Sequence, residues 1–442
     1  MNIQLSDHFD YRRLLRFTLP SIIMMIFTSI YSVVDGLFVS NFVGITPFAA
    51  LNLIYPFIQI LGCFGFMFGA GGSALVSATL GMRNTERANR IFSMLTYITL
   101  ITGVVLAVFG IIFIEPIAVL LGADAELLPY CIIYGRILLA AIPVFMLQNL
   151  FQSFLITAER PTLGLIVTIG AGVMNMILDA VFILGFHWGL AGAAAATAIA
   201  QCVGGIVPLV YFASKNSSVL RLGKTSFDGH ALLAACTNGM SELVTNISMS
   251  VVSILYNFQL MKFAGENGVA AYGAVMYVGF IFAAVFLGYS IGVAPVIGYH
   301  YGAQNHGELK NLFRKSITLV LTANVVLAAA AFLFSEPMAK LFASKDAALL
   351  EMTVTSFHFF AVSVLFSGFN IFGSAFFTAL NNGVVSAAIS FLRTLVFQIL
   401  SVLILPIFFG LDGVWYSLFV AEMLASAVTF TFIARKKKVY HY

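Results

Sequence analysis

The sequence predicts an all-α integral membrane protein whose twelve transmembrane helices form two pseudo-symmetric six-helix bundles around a central cavity. Three observations carry this prediction: the composition, the lengths of the apolar runs and an internal repeat. Of the 442 residues, 61% are hydrophobic and 9% are charged, whereas a soluble domain carries about 25% charged residues. So few polar residues cannot build a water-exposed surface, and the chain therefore belongs in lipid.

Twelve apolar runs are each long enough to cross a hydrocarbon core, which needs roughly 20 residues. The first run follows the polar residues 1–10 and a basic stretch at 11–16, and no small-residue cleavage site accompanies it. We therefore expect a retained helix rather than a cleaved signal peptide. The twelve runs are centred near Ile26, Phe64, Ile101, Ala140, Val173, Ala200, Met249, Phe282, Val325, Val362, Leu400 and Met423.

An internal repeat divides the chain into two equal halves. Adding 221 to a position in the first half gives a matching residue many times without a gap, and 221 is half of 442. Examples are Gly44 with Gly265, Gly71 with Gly292, Gly81 with Gly302, Asn84 with Asn305 and Gly189 with Gly410. We therefore predict an N-terminal lobe at residues 1–213, a cytoplasmic linker at 214–229 and a C-terminal lobe at 230–442. Two such repeats are typical of transporters that rock about a central site.

Lysine and arginine concentrate at one end of the predicted bundle. If both termini lie at that end, it receives 17 of the 22 basic residues. These are Arg12, Arg13, Arg16, Arg83, Arg87, Arg90, Arg160, Lys215, Arg221, Lys224, Lys310, Arg314, Lys315, Arg435, Lys436, Lys437 and Lys438. The opposite loops receive Lys262, Lys340 and Lys345, while Arg136 and Arg393 fall within helices. Cytoplasmic loops carry such an excess, so we expect a bacterial cell-membrane protein with both termini in the cytoplasm.

Ionisable side chains within the apolar runs mark candidate functional positions, because each costs roughly 2.5–3.5 kcal/mol at a helix centre on insertion scales. Asp35 ends the first helix, and Asn175 and Asp179 share one face of the fifth because they are four residues apart. Their partners at +221 are Tyr256, Val396 and Leu400, none of which is acidic. This asymmetry predicts a cation site in the N-terminal lobe only.

Three further charges lie in the C-terminal half. Arg393 and Glu422, on the last two helices, are predicted to form a structural ion pair. Glu242, early in the seventh helix, is open to two interpretations, a second coupling site or a substrate site. The basic run at 435–438 is expected to contact lipid headgroups rather than nucleic acid.

Several motifs together resemble those of the MATE (multidrug and toxic compound extrusion) family, over nearly the full chain. They are Pro20, Asp35-Gly36, Gly81, Glu159-Arg160-Pro161, Asn175-x-x-x-Asp179 and the stretch from Gly189 to Thr197. The resemblance implies two six-helix bundles around a V-shaped cavity and a Na⁺ or H⁺ site at Asp35, Asn175, Asp179 and Thr197. Glu242 is similar to an acidic residue that the NorM-like branch of the family carries on its seventh helix. That branch also carries an aspartate on its tenth helix, which has no counterpart at 363–372, so the pattern is nearer to DinF-like pumps.

The expected mechanism is exchange of a drug for a cation. Two carboxylates in a poorly solvated pocket repel each other, and either a proton or Na⁺ would relieve the repulsion. No cofactor and no other metal is expected beyond Na⁺ at Asp35 and Asp179. Cation entry is predicted to bend the first helix near Pro20, where a backbone donor is missing.

The sequence thus predicts a secondary active multidrug efflux antiporter that works by alternating access. Its expected partners are small-molecule drugs and dyes and the membrane lipid, and it is expected to be a monomer. Its substrates would be amphiphilic and mostly cationic, and neither an enzyme motif nor a Walker pattern is present. The predicted cavity residues are Met174, Tyr256, Met276, Tyr277, Phe366 and Phe369. The alternative is a flippase for a lipid-linked cell-envelope precursor, which would want more arginine and lysine within the helices.

Overall fold

The computed structural model describes residues 3–343 and 346–442, so Lys345 lies outside the described residues. The first lobe has six long helices joined by short turns. They are α1 (Tyr11–Phe42), α2 (Ile45–Gly81), α3 (Thr85–Leu120), α4 (Leu128–Thr157), α5 (Pro161–Asp179) and α6 (Gly189–Ala213). A π-helical turn, Ala180–Gly185, extends α5.

The second lobe repeats this pattern with one very long helix and several interrupted ones. They are α7 (Gly229–Gly302), α8 (His306–Leu333), α9 (Ser335–Ala343), α10 (Ala347–Ala379), α11 (Gly383–Phe391), α12 (Gln398–Phe409) and α13 (Leu411–Tyr440). A second π-helical turn, Leu392–Phe397, joins α11 to α12. The short α9 and both π-helical turns were not predicted from the sequence.

The described chain contains eleven helices long and apolar enough to cross a membrane, and α7 accounts for two crossings. Its backbone leaves the helical region at Gly265, where φ is 62° and ψ is −151°. Glycine adopts this conformation at little cost because it lacks a Cβ atom. With α7 divided there, the chain has the twelve predicted spans.

The repeat is visible in the backbone conformation as well as in the amino-acid sequence. Arg83 and Gln304, which are 221 positions apart, both have positive φ, at 61° and 55°. Asn84 and Asn305 follow them, and each side chain accepts a hydrogen bond from the first turn of the next helix. Such asparagine caps are favourable because they satisfy an unpaired backbone N–H group. The two halves therefore turn at equivalent places for the same local reasons.

The lobes approach each other closely at the end that carries the basic loops, which we name the basic end. A Cβ atom at Gly81 would overlap the carbonyl oxygen of Tyr299, and one at Gly302 would overlap that of Ala78. Small residues let transmembrane helices pack with their backbones in contact. The interface between α2 and α7 therefore depends on glycine at these positions.

The segment before α1 also joins the two lobes at the basic end. Leu5 donates its backbone N–H to Glu159 in the turn before α5 at 2.7 Å. Phe9 donates to Glu308 at the start of α8 at 2.9 Å, and its carbonyl oxygen accepts from Lys315 at 2.7 Å. Leu5 and Phe9 are both buried, so this segment is held by packing as well as by hydrogen bonds.

Candidate functional site

The polar centre of the first lobe is built where α1 packs against α5. Gly172 allows this approach, because a Cβ atom there would collide with the ring of Phe27 on α1. Asn175 and Asp179 follow on the same face of α5 and are each only 1% exposed. The sequence pattern predicted this shared face, and the packing of α1 places it inside the protein.

Asp35 and Asp179 form a carboxyl pair across the α1–α5 interface. Their side chains lie within hydrogen-bonding reach of each other. Because ionised carboxylates only accept hydrogen bonds, such a contact requires one proton between them. No lysine or arginine pairs with either carboxyl group among the described residues. The pair therefore carries negative charge that the protein itself does not neutralise.

The carboxyl pair is surrounded by oxygen atoms that lack a hydrogen-bond partner in the described structure. One oxygen of Asp35, one of Asp179 and the amide oxygen of Asn175 are buried without a donor. The amide nitrogen of Asn175 is 3.4 Å from the hydroxyl oxygen of Thr197 on α6. Buried acceptors of this kind are rare, and carboxylate and carbonyl oxygens suit a hard cation or a proton. The residues present therefore fit a monovalent cation or a proton.

Three tyrosines lie around the carboxyl pair. Tyr31, Tyr55 and Tyr134 are each close enough to Asp35 to be influenced by its charge. None of the three was among the site residues predicted from the sequence. No local pattern marks them, because each comes from a different helix.

The second lobe has a polar centre of different chemistry. Arg393 contacts Glu422 with both Nε and Nη2, at 2.9 Å for the closest oxygen of each contact. Asn370 donates to Glu422 at 2.7 Å and accepts from Ser426 at 3.0 Å. This arrangement confirms the predicted ion pair. Arg393 lies in the second π-helical turn, as Asp179 directly precedes the first, and π-helical segments are often found at functional sites.

A central cavity lies between the lobes, with Glu242 and Arg393 in its lining. Ala70, Ser73 and Ser153 contribute from the first lobe, and the other lining residues come from the second. The Glu242 side chain forms no ion pair with the described residues. Glu242 is thus the one carboxylate of the described lining, and its role as coupling or substrate site stays a prediction.

The six predicted cavity residues lie elsewhere, and none belongs to the described lining of this cavity. Tyr256 is 1% exposed, donates to Gln398 at 2.9 Å and stacks on Tyr272. Met276 packs against that same buried cluster, and Phe369 packs against a larger one that includes Phe372. Met174 and Tyr277 are exposed and Phe366 is half-buried. Their contact with substrate therefore remains a prediction.

Pro20 lies within α1, which continues through it without a break from Tyr11 to Phe42. Its ring removes the backbone donor that would bond the carbonyl oxygen of Arg16. Helices bend most easily at such a position. The helix is continuous in this structure, so bending at Pro20 is a prediction about another state.

Comparisons with known proteins agree with this architecture. A family model described as MatE matches residues 20–181 and 243–404, one match in each lobe. The multidrug export protein MepA of Staphylococcus haemolyticus is 25% identical over 418 residues, which is 94% of this chain and 91% of the relative. The protein of the same name from Staphylococcus aureus strain MRSA252 is 26% identical over 419 residues, covering 94% and 92%.

Solved structures share the fold over nearly the whole chain. One is described as the outward-facing conformation of a multidrug resistance MATE family transporter of the MOP superfamily, and it has a TM-score of 0.93 at 24% identity, covering 99% of this chain and 98% of that one. Another, described as MATE in complex with MaL6, has a TM-score of 0.92 at 23% identity and covers 98% of both chains. At these identities the likeness establishes the fold alone.

Proposed function

Because this chain belongs to the MatE family, we propose that it is a secondary active multidrug efflux antiporter that exchanges amphiphilic, mostly cationic drugs for H⁺ or Na⁺. One observation carries the proposal: the carboxyl groups of Asp35, which is half-buried, and Asp179, which is buried, have no cationic partner among the described side chains. Relatives named for multidrug export support the choice of cargo.

The coupling argument follows from the cost of burying charge. An unpaired carboxylate in a poorly solvated site is unfavourable, and an incoming proton or Na⁺ removes that cost. The ion would bind from outside, where its concentration or potential is higher, and drug and ion would compete for the same lobe. Binding can shift a conformational equilibrium only by its differential affinity for the two states. The carboxyl pair would supply that difference.

The conformational step would involve α1 and the two lobes. In this scheme residues 1–213 and 230–442 rock against each other, and residues 214–229 connect them. Neutralisation of Asp35 would let α1 bend at Pro20 and close the space beside it, which displaces drug outward. We place the protein as a monomer in the bacterial cell membrane, with the basic end and both termini in the cytoplasm, because the basic loops gather there.

The lining of the cavity argues against the flippase alternative. A pyrophosphate group needs several cationic side chains. Within the described lining Arg393 is the one cationic residue, and Glu422 already neutralises it. Export of a lipid-linked precursor in vesicles would reverse this preference.

The test uses purified protein in vesicles with an imposed pH gradient, an imposed Na⁺ gradient or neither. We expect dye export with one of the two gradients, and export at the level of protein-free vesicles for Asp179→Asn. Asp412→Asn is a matched control, because that carboxylate is exposed at the start of α13. Wild-type export by Asp179→Asn, or equal export without any gradient, would refute the proposal.

A further inference from the structure

The residues that precede α1 dock on the opposite lobe. We name residues 3–10 the N-terminal segment. It leads into α1 of the first lobe, yet Leu5 and Phe9 are buried in a cluster made mostly of second-lobe side chains. On the first lobe, Glu159 accepts a hydrogen bond from the Leu5 N–H group at 2.7 Å. The segment is therefore fastened to the first lobe at Glu159 and at α1, and it is inserted into the second lobe between these points.

Glu308, in the first turn of α8, is the centre of the polar contacts with this segment. Its Oε1 accepts from the Phe9 N–H group at 2.9 Å and from Asn311 at 2.8 Å, and its Oε2 lies 2.6 Å from Nδ1 of His8. Lys315 donates to the Phe9 carbonyl oxygen at 2.7 Å. Hydrogen bonds to an ionised group are stronger than those between neutral groups. One carboxylate of the second lobe thus fixes the end of the segment.

The linker at 214–229 is attached differently. It leaves α6 and docks on α3, and both of these helices belong to the first lobe. Asn89 accepts from the Arg221 N–H group at 2.6 Å, and Ser93 accepts from the Gly223 N–H group at 3.0 Å. Because these contacts lie within one lobe, they can persist when the lobes move apart. The contacts of the N-terminal segment with the second lobe cannot.

Opening of the basic end would therefore break the docking of the N-terminal segment, together with the backbone contact of Gly81 with Tyr299. The counterpart of Glu308 in the repeat is Arg87, so this acidic contact is a feature of the second lobe. After release the segment would remain attached to α1. A tethered segment rebinds at high effective concentration, so the contact can be broken and reformed in every cycle.

We propose that the N-terminal segment is a latch, which holds the basic end closed by docking on the second lobe and leaves its dock whenever the basic end opens. Glu308 is the positioning residue of this latch, since it contacts the segment and lies outside the described lining of the central cavity. The inference rests on the proposed rocking of the two lobes. A contact made in one state only shifts the equilibrium toward that state. A weakened latch therefore favours the state in which the basic end is open.

The first experiment measures the distance between spin labels at Arg87 on α3 and Lys310 on α8, in full-length protein in lipid nanodiscs. Glu308→Ala should raise the population with the longer distance about tenfold, the change expected for one lost hydrogen bond to a charged group. Phe9→Ala removes the buried ring and should raise it as well. Glu86→Ala is the matched control, because Glu86 lies in the first turn of α3 and is exposed. Wild-type populations in Glu308→Ala and Phe9→Ala overturn the latch.

The second experiment closes the latch covalently, in a background without the four native cysteines. His8→Cys with Glu308→Cys places two thiols where these side chains now touch, and a cleavable bifunctional thiol reagent joins them. Cross-linking should reduce ion-driven ethidium export to the level of protein-free vesicles, and cleavage should restore it. Asn89→Cys with Arg221→Cys is the control, because it joins the linker to α3 within the first lobe and should leave export unchanged. Undiminished export by the cross-linked His8–Glu308 pair overturns the latch.

The outcomes separate this inference from the proposed function. If the wild type and the cross-linked protein both export ethidium, efflux stands and the latch is wrong. If the wild type exports with neither gradient, the efflux function fails, and the label distances still decide whether the latch exists. Should the Glu308 variants not fold, Phe9→Ala is compared with Phe9→Leu. Leucine restores an apolar side chain and should return the longer-distance population toward the wild-type value, and equal populations in these two variants and the wild type overturn the latch.

Discussion

The polar centres of the two lobes lie in similar helical bundles but differ in how their charges are compensated. In the first lobe, Asp35 and Asp179 are acidic and have no cationic partner among the described residues. In the second, Glu422 is neutralised by Arg393 and further bonded by Asn370. The first centre thus has acidic groups that no described basic side chain compensates, whereas the charge of Glu422 in the second is compensated.

The repeat shows how far the two centres have diverged. Asp179 maps to Leu400, Glu422 maps back to Gln201 and Arg393 to Gly172. Asn149 and Asn370 are matched asparagines, yet Asn149 reaches only the carbonyl oxygen of Gly62, at 3.5 Å, while Asn370 bonds Glu422. Duplication kept the turns and the close helix contacts, and the buried charges changed. The comparison teaches that the two lobes share a backbone plan but not the charges at their polar centres.

The largest expected effect is on ion-driven transport, and it should be confined to the first centre. Asp35→Asn should reduce dye export to the level of vesicles without protein, because the neutral amide no longer needs a cation. Arg393→Gln with Glu422→Gln should keep export of a permanent cation coupled to the ion gradient. Initial rates in vesicles check both. If the double variant lost its ion dependence while Asp35→Asn kept it, ion coupling would belong to the second centre and not to the first.

The second effect is on folding stability and should be confined to the second centre. Arg393→Met leaves Glu422 buried and unpaired, which costs about 3–5 kcal/mol. Asp179→Asn keeps a side chain that can hydrogen-bond to Asp35 and leaves no cationic group unpaired, so it should cost far less. Unfolding in detergent with increasing denaturant measures both, and Arg393→Met with Glu422→Met should recover most of the loss. If Asp179→Asn proved the more destabilising of the two single variants, the first centre would be the structural one.

The third effect tests the contact between the lobes. A Cβ atom at Gly239 on α7 would overlap the carbonyl oxygen of Met67 on α2. Gly239→Ala should therefore destabilise by about 1–3 kcal/mol, as overpacking does. Gly170→Ala is the control, because a Cβ atom there has no neighbour within 4 Å and alanine is favoured in helices. Equal stability of the two variants would mean that the lobes do not share this rigid contact.

The smallest effect concerns pH at the basic end. Burial raises the pKa of Glu159, and the charge of Asp7 adds to this, whereas the Leu5 N–H and Arg160 act in the opposite direction. A carboxyl group whose pKa is raised in the packed state stabilises that state below its ordinary pKa, about 4.3. That stabilisation is lost as pH rises through the raised pKa. The packing that buries Glu159 beside the segment before α1 should therefore weaken with rising pH.

This change can be followed with spin labels at Ser6 and Lys310, in a background that lacks the four native cysteines. The distance distribution should broaden as pH rises through the raised pKa of Glu159. Glu159→Gln still offers an oxygen to Leu5 but does not titrate, so its distribution should not change with pH. A pH response that persists in Glu159→Gln would assign the effect to another group.

Much of the fold was predictable because membrane helices obey a length rule that local sequence satisfies. The twelve apolar runs, the +221 repeat and the shared face of Asn175 and Asp179 all depend on spacing along one chain. The short α9 and the two π-helical turns were not predictable in this way. The first π-helical turn directly follows the buried Asp179, and the second contains the half-buried Arg393. No periodicity marks where an extra residue enters a helical turn.

The candidate site was predictable in composition and less so in arrangement. Asp35 and Asp179 stood out because charge is rare in apolar runs, and Arg393 with Glu422 stood out for the same reason. The hydroxyl-rich cavity and the positions of Tyr55 and Tyr134 did not stand out. Serine, threonine and tyrosine are common in membrane helices, and their exposure depends on how each helix is rotated.

The sequence by itself determined that this chain lies in lipid, that it is a duplicated six-helix unit and that a few buried charges need explanation. Only the tertiary structure decided which charges meet: Asp35 with Asp179 and Arg393 with Glu422, while Glu242 lies in the cavity without an ion partner among the described residues. The physical reason is that apolar length and periodicity act within one helix. Pairing depends on close packing between helices, which contacts such as that of Gly172 with Phe27 control.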